Sequence, residues 1–187
     1  MRKIAFFGGS FNPIHNGHLK IISKILKDNI ADKVLIVPCG NHAFGKELLS
    51  GKERLELIRL AIGENSKLKI SDIEINSKEK SYTANTLRKL KEQTDNEYYI
   101  VIGADNIGSL DKWHDFLYLK DNFEFIIFKR PDYPVDNMHK IKIKAIVELN
   151  EQVSSSEIRD KLHKDLSIEG LVPKSVEEYI ILNGLYR

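Results

Sequence analysis

Short apolar runs that alternate with helix-like segments constrain the fold of this chain more than any other feature. Apolar or alternating runs cover residues 4–7, 34–37, 68–75, 98–102, 123–128 and 145–149, and each is typical of a β-strand. Helical periodicity covers residues 18–30, 52–62 and 83–93, between successive strands. Short strands separated by helices predict parallel strands joined by right-handed crossovers.

The predicted fold class is therefore α/β, a doubly wound, Rossmann-like parallel sheet with helices on both faces and a small C-terminal helical extension. Ser154 and Ser175 each begin a Ser-x-x-Glu pattern followed by a helical run, which predicts a capping box at the start of two short helices. With 187 residues, we expect one domain, with residues 1–150 forming the sheet core and residues 151–187 a helical segment.

Composition excludes several classes of protein. Lys plus Arg is 29 and Asp plus Glu is 27, and this near balance argues against a dedicated nucleic-acid binder. Cys39 is the single cysteine, so no disulfide can form within the chain, as expected in a reducing cytosol. No apolar stretch reaches the roughly 18 residues of a membrane span, and the first residues lack a signal-peptide pattern. We therefore expect a soluble, cytoplasmic protein with no membrane partner.

Three chemically rich stretches directly follow predicted strands. They are residues 8–18, 39–46 and 103–105. In a doubly wound sheet, ligands bind beyond the carboxyl ends of the strands, so these stretches are expected to share one site.

The first of these stretches carries the strongest chemical signal. Gly8 and Gly9 allow a sharp turn and a close approach of the backbone to a ligand. His15 and His18 follow, with His18 near the amino end of a helix, where free N–H groups and the helix dipole favour anions. The pattern indicates phosphate binding. A pair of metal ligands, or two surface histidines on a tight turn, stay open as alternatives.

A resemblance to a known family adds to this interpretation. Gly-Ser-Phe-Asn-Pro-Ile-His-Asn-Gly-His at residues 9–18 resembles the HxGH signature of the nucleotidyltransferase superfamily. Ser-Ser-Ser-Glu-Ile-Arg at residues 154–159 resembles the superfamily's second motif, which is far away in the sequence. Within the superfamily, the chain is similar to the bacterial nicotinate mononucleotide adenylyltransferases in Ser-Tyr-Thr at 81–83, Ile-Gly-Ala-Asp at 102–105, Lys-Trp at 112–113 and the segment 171–186.

The resemblance implies transfer of AMP from ATP to nicotinate mononucleotide, which gives nicotinate adenine dinucleotide and pyrophosphate in NAD biosynthesis. The partners would be ATP, with Mg²⁺ as its cofactor, and a pyridine mononucleotide, and no protein metal ligand is expected. Nicotinamide mononucleotide and phosphopantetheine stay open as acceptors, a non-catalytic nucleotide sensor is a remote alternative, and homo-oligomer formation is open. The Gly-rich turn lacks the Gly-x-Gly-x-x-Gly spacing of an NAD-dependent dehydrogenase.

The same resemblance implies roles for particular residues. The predicted catalytic residues are His15, His18, Lys46 and Arg159. The predicted ATP-binding residues are Gly8, Gly9, Ser10, Phe11, Gly17, Gly103, Asp105, Ser155 and Ser156. The predicted mononucleotide-binding residues are Asn12, His42, Tyr82, Thr83, Lys112 and Trp113.

Several of these residues also have simpler interpretations. Trp113 is the only tryptophan and could be a partly buried core residue, and Asp105 could cap a short turn. His42 and Lys46 could be ordinary loop residues. Residues 38–46 depart from the Pro-rich His-Lys segment of the family, so the choice of mononucleotide stays open.

Overall fold

A parallel sheet forms the centre of the protein. The computed structural model describes residues 1–40, 48–148 and 153–187. Its strands are β1 Lys3–Gly9, β2 Lys33–Pro38, β3 Leu68–Ile70, β4 Glu97–Gly103, β5 Glu124–Phe128 and β6 Lys142–Val147. All neighbouring strands pair in parallel, in the order β3-β2-β1-β4-β5-β6. The strand order reverses between β1 and β4, and this reversal is where such sheets bind ligands.

Helices cover both faces of the sheet, as predicted. They are α1 Asn16–Lys27, α2 Gly51–Ile62, α3 Thr83–Gln93, the 3-10 helix Ala104–Lys112, α4 Phe116–Asn122, α5 Ser155–His163 and α6 Lys174–Leu182. Side chains alternate along a strand, so Ala5 and Phe7 of β1 pack in the cluster that includes α1, α2, α5 and α6. Ile4 and Phe6 pack on the other face, with α3 and α4. The doubly wound arrangement is confirmed.

Strand β3 is shorter than the sequence predicted. The alternating pattern indicated a strand over residues 68–75, but the strand ends at Ile70. A turn follows, in which the backbone N–H and the side-chain amide of Asn76 both donate to Asp72. Within this turn the Glu74 carboxylate is directed inward and accepts a 2.6 Å hydrogen bond from the Thr86 hydroxyl. These local hydrogen bonds compete with strand pairing, and here they prevail.

Two helical segments between β4 and β5 were not predicted, namely the 3-10 helix Ala104–Lys112 and α4 Phe116–Asn122. Both are short, and their buried residues, such as Ile107, Leu110 and Leu119, are too few to produce a clear helical period. The last strand begins at Lys142 instead of residue 145, and residue 149 lies outside the described residues.

The two C-terminal helices are present, but only α5 has the predicted serine cap, and the structure shows only the serine half of the predicted capping box there. Ser154 precedes α5, and its hydroxyl accepts the backbone N–H of Glu157 at 3.1 Å. Helix α6 begins at Lys174 after Pro173, so Ser175 lies within the helix and the predicted capping box there was wrong. The Ser175 hydroxyl instead donates to the Leu60 carbonyl oxygen at 2.9 Å, which joins α6 to α2.

The C-terminal helices share the core of the sheet. Ile158, Val176 and Ile180 are buried in the same cluster as Phe7 of β1. In the described ranges, none of the helices is long and apolar enough to cross a membrane.

This packing predicts that α6 and the sheet unfold together. Ile180 is 1% exposed and its neighbour Ile181 is 51% exposed. Ile180→Ala should lower the free energy of unfolding by about 2–5 kcal/mol, since it leaves a core cavity. In urea titrations, Trp113 fluorescence and far-UV circular dichroism should give the same lowered midpoint.

The matched control is Ile181→Ala, which should change the free energy of unfolding by about 0.5 kcal/mol or less. If Ile180→Ala shifted the circular dichroism midpoint but not the Trp113 midpoint, α6 would be a separate folding unit.

Candidate functional site

The loop between β1 and α1 lies at the carboxyl end of the central strand, as predicted. β1 ends at Gly9, whose carbonyl oxygen accepts the backbone N–H of Cys39 at 2.9 Å, so the segments after β1 and β2 are neighbours. Phe11 follows, and its buried ring contacts the rings of Phe7 and His18 at centroid distances of 5.4 Å and 5.0 Å. The Phe11 ring therefore supports the imidazole of His18 from the core side.

His15 and His18 form a stacked pair at the amino end of α1. His15 is the residue that precedes the helix, and the two ring centroids are 3.7 Å apart. At Gly17, a Cβ atom would lie only 3.0 Å from His15 Nδ1, so a side chain there would displace the His15 ring. The glycine between the two histidines thus permits the stack.

Hydrogen bonding fixes the proton of the His18 ring. The backbone N–H of His15 donates to His18 Nδ1 at 3.2 Å. In the neutral ring the proton must then be on Nε2, which becomes a hydrogen-bond donor. His15 Nδ1 is buried and finds no hydrogen-bond partner among the described residues. Such unpaired buried atoms are rare in folded proteins, and a bound ligand or water molecule is one way to satisfy them.

Both imidazoles are neutral at pH 7. Burial is the main cause that lowers the pKa of His15 to about 4, and the charge of Arg130 adds to it. Burial also lowers the pKa of His18 well below its ordinary value of 6.5, with His15 and Arg130 contributing further. The pair can therefore offer hydrogen bonds to an anion without being charged beforehand.

Arg130 is a site residue that the sequence did not reveal. It follows β5, and its Nε atom lies 3.0 Å from a carboxylate oxygen of Asp105, which follows β4. Gly103 ends β4, and a Cβ there would lie 2.1 Å from the same Asp105 carboxylate. Arg130 could have been found only by its position directly after a predicted strand, at the edge that the other site residues share.

Residues of the second motif contact the loop after β1. The Ser155 hydroxyl donates to the carbonyl oxygen of Pro13 at 2.9 Å. The Arg159 guanidinium donates to the carbonyl oxygen of Asn12 at 2.8 Å and to the exposed Ser156 hydroxyl at 3.2 Å. The two motifs, far apart in sequence, therefore meet, and a role for these side chains in binding ATP stays a prediction.

Asn12 is held by two further parts of the chain. Its side chain is 4% exposed, and Oδ1 accepts the backbone N–H of Leu49 at 3.2 Å and the hydroxyl of Tyr186 at 2.9 Å. Burial raises the pKa of the Tyr186 phenol, so it stays protonated and remains a donor. The predicted contact between Asn12 and the mononucleotide is untested, but these bonds fix the orientation of its amide.

Four of the residues predicted to bind the mononucleotide lie around the start of α3 and the end of the 3-10 helix, namely Tyr82, Thr83, Lys112 and Trp113. Thr83 is the first residue of α3, and the Tyr82 ring before it stacks on His114 with a centroid distance of 4.4 Å. Trp113 is half-buried against the core, and Lys112 is exposed. His114 was missed, because a single exposed histidine has no distinguishing pattern.

Some predicted features cannot be placed. His42 and Lys46 lie outside the described residues. Gly40, just before them, donates its backbone N–H to the Ser81 hydroxyl at 2.8 Å, which brings the segment after β2 to the start of α3. Within the described ranges, no group of three or more His, Cys, Asp or Glu side chains is arranged to hold a metal ion.

Comparisons with known proteins identify the class. The family model described as cytidylyltransferase-like matches residues 6–161. This range includes residues 6–9 of β1, all of β2 to β6, both histidines and the second motif.

Individual relatives narrow the class further. A Fusobacterium nucleatum protein named "Probable nicotinate-nucleotide adenylyltransferase" is 39% identical, with 95% of this chain and 96% of the relative covered. A Clostridium tetani protein of the same name is 35% identical, with both chains covered completely. This chain belongs to the nicotinate-nucleotide adenylyltransferases of the cytidylyltransferase-like family.

Solved structures agree with this assignment. Nicotinic acid mononucleotide adenylyltransferase from Plasmodium falciparum, complexed with NaAD, has a TM-score of 0.87 at 26% identity and covers 100% of this chain and 98% of its own. The same enzyme complexed with APC has a TM-score of 0.83.

The buried His15 predicts a pH-dependent stability. Its pKa is lower in the folded than in the unfolded protein, so between pH 6.5 and about 4 the unfolded state binds a proton that the folded state does not. The free energy of unfolding should therefore fall as the pH drops through this window. When the pH falls from about 7.5 to about 5, the free energy of unfolding of the native chain should decrease by about 2 kcal/mol more than that of His15→Gln.

Urea unfolding at several pH values measures this difference, and His163→Gln is the control because His163 is exposed at the end of α5. Equal losses in the native chain and in His15→Gln would show that His15 titrates normally.

Proposed function

We propose that this protein transfers AMP from ATP to nicotinate mononucleotide and releases pyrophosphate. The observation that carries the proposal is the stacked, neutral pair His15 and His18 at the amino end of α1, at the reversal of strand order in the sheet. The names of the bacterial relatives and the complex of the Plasmodium enzyme with NaAD support the choice of acceptor.

The reaction is a direct displacement. A phosphate oxygen of the mononucleotide attacks the α-phosphorus of ATP in line, and the bond from that phosphorus to the bridging oxygen breaks. Pyrophosphate leaves with the bond's electron pair. A phosphate monoester is already anionic at neutral pH, so no general base is needed. Catalysis then depends on positioning and on stabilising charge, as in other phosphoryl transfers.

His18 is the proposed donor to the leaving pyrophosphate. Its Nδ1 accepts from the backbone of His15, so Nε2–H is the group that can donate to a phosphate oxygen. Donors aimed at developing charge in a dry site are among the largest contributions to catalysis. His15 would bind the same polyphosphate, aided by the dipole of α1.

The other predicted residues would complete the ATP side. Arg159, Ser155 and Ser156 lie next to the loop after β1, and Asp105 with Gly103 lies at the end of β4, where a ribose can bind. Arg130 adds a cation at the same edge. Lys46 is proposed to contact the phosphates. Mg²⁺ would arrive with ATP as MgATP, bound mainly by phosphate oxygens and water.

The second substrate would bind between α3 and the end of the 3-10 helix. Trp113 and Tyr82 provide flat aromatic surfaces on which a pyridine ring can stack. Lys112 and Thr83 supply polar groups beside them. We place the reaction in the cytoplasm, in keeping with a single cysteine and no possible intrachain disulfide.

Pyrophosphate release from MgATP tests the proposed function. Nicotinate mononucleotide should support release with a kcat/KM at least about tenfold higher than nicotinamide mononucleotide, a discrimination of about 1.4 kcal/mol. A preference for the amide would correct the acceptor and keep the chemistry. No release with either mononucleotide would contradict the proposal, and phosphopantetheine would be the next acceptor to measure.

Removal of the His18 imidazole tests its assigned role. His18→Ala should lower kcat by about a hundredfold or more, as expected for loss of one transition-state donor. The KM for nicotinate mononucleotide should change little, because His18 is assigned to the ATP side. The control is His163→Ala, on the exposed end of α5, which should retain full activity. Unchanged kcat in His18→Ala would remove the histidine from the mechanism.

A further inference from the structure

Arg54 of α2 is a buried cation held by main-chain carbonyl groups. It is 2% exposed, and each of its three guanidinium nitrogens donates to a carbonyl group in the β1–α1 loop or in the segment between β2 and α2. Nε donates to Leu49 O at 3.0 Å, one Nη to Ser10 O at 2.9 Å and the other Nη to Cys39 O at 2.7 Å. The three donor nitrogens of the planar guanidinium therefore fix the positions of three carbonyl groups.

The three carbonyls belong to the segments that surround the phosphate side of the candidate site. Ser10 lies in the loop that leads from β1 to the histidine pair. Cys39 directly follows β2, and Leu49 precedes α2 and donates its own N–H to Asn12. Arg54 is thus a side chain that joins the segments after β1 and β2 and the start of α2 to one another.

Packing alone does not explain a cation at this position. Burying a charge is costly unless its hydrogen bonds are satisfied. No carboxylate forms an ion pair with Arg54 within the described ranges. Among the described residues, the hydrogen bonds to the carbonyl groups therefore offset the cost of burying the Arg54 charge. An apolar side chain could fill the volume, but it would leave these three partly buried carbonyl groups without their donors.

We propose that Arg54 is a positioning residue for AMP transfer, which holds the loop after β1 in the geometry that His15 and His18 require. The expected loss of kcat in Arg54 variants rests on the proposed function. The expected loosening of the loops rests on the hydrogen bonds of Arg54 alone. Arg54 does not contact the reacting atoms. It acts through the backbone of Ser10, because a displacement of about 1 Å at a reacting group can cost about a hundredfold in rate.

The kinetic test separates positioning from general stability. Arg54→Gln should lower kcat by about a hundredfold, with less than about a threefold change in the KM for nicotinate mononucleotide. Arg54→Lys keeps the charge but not the planar arrangement of donors, so it should recover part of the loss and remain about tenfold below the native chain. All variants are measured at a temperature where circular dichroism shows them fully folded.

Ile58→Ala is the matched control. Ile58 is fully buried one turn further along α2, so its truncation destabilises the same helix without removing a hydrogen bond to the loops. Its kcat should stay within about twofold of the native value. If Arg54→Gln kept the native kcat, or if Ile58→Ala lost as much, Arg54 would be a structural residue and the proposal would be overturned.

Amide hydrogen exchange tests the structural part without substrate. The N–H groups of Cys39 and Leu49 donate to Gly9 O and Asn12 Oδ1, so their exchange reports on the contacts between the loops. In Arg54→Gln both should exchange at least about tenfold faster than in Ile58→Ala. If the native chain formed no dinucleotide but this result held, the proposed function would fail while the loop-holding role of Arg54 stood. If both amides of Arg54→Gln exchanged at the rates of the native chain, that role would be overturned.

Discussion

The candidate site depends on hydrogen bonds that converge on Asn12. Its carbonyl oxygen accepts from Arg159, and its side-chain oxygen accepts from Leu49 and Tyr186. These donors come from α5, from the segment before α2 and from the C-terminal end of the sequence. The backbone N–H and C=O groups of a loop are not paired with a neighbouring strand, so the loop needs other hydrogen-bond partners to keep one conformation. The geometry of the histidine pair is therefore a property of the whole fold.

The electrostatics of the site follow from this arrangement. His15 and His18 are buried beside Arg130, so their pKa values fall and both rings are neutral donors. A buried histidine cation would have to be compensated in the protein before substrate binds, whereas a neutral N–H donor needs no counter-charge. Positive charge is supplied instead by arginines that are held by carbonyl groups or by Asp105.

Local and periodic features of the sequence predicted the fold and the position of the loop after β1 at the carboxyl end of the central strand. The alternation of strands and helices is sufficient for a parallel sheet, and the segments at residues 8–18 and 103–105 meet at its edge because all strands share one direction. Tertiary contacts caused the errors. Ser175 resembles a cap but bonds to Leu60, and residues 71–75 alternate like a strand but lead into a turn at residues 73–76. Arg54, Arg130 and Tyr186 were missed because their partners, 174 residues away for Tyr186, leave no local pattern.

The central claim is that the site directs attack on the α-phosphorus of ATP. The most direct measurement follows a label from ATP into the products when MgATP and nicotinate mononucleotide are incubated with the protein. Label on the α-phosphorus should appear in the dinucleotide, and label on the γ-phosphorus should appear only in pyrophosphate. Transfer of the γ-label to the acceptor, or retention of the α-label in free nucleotide, would contradict the account.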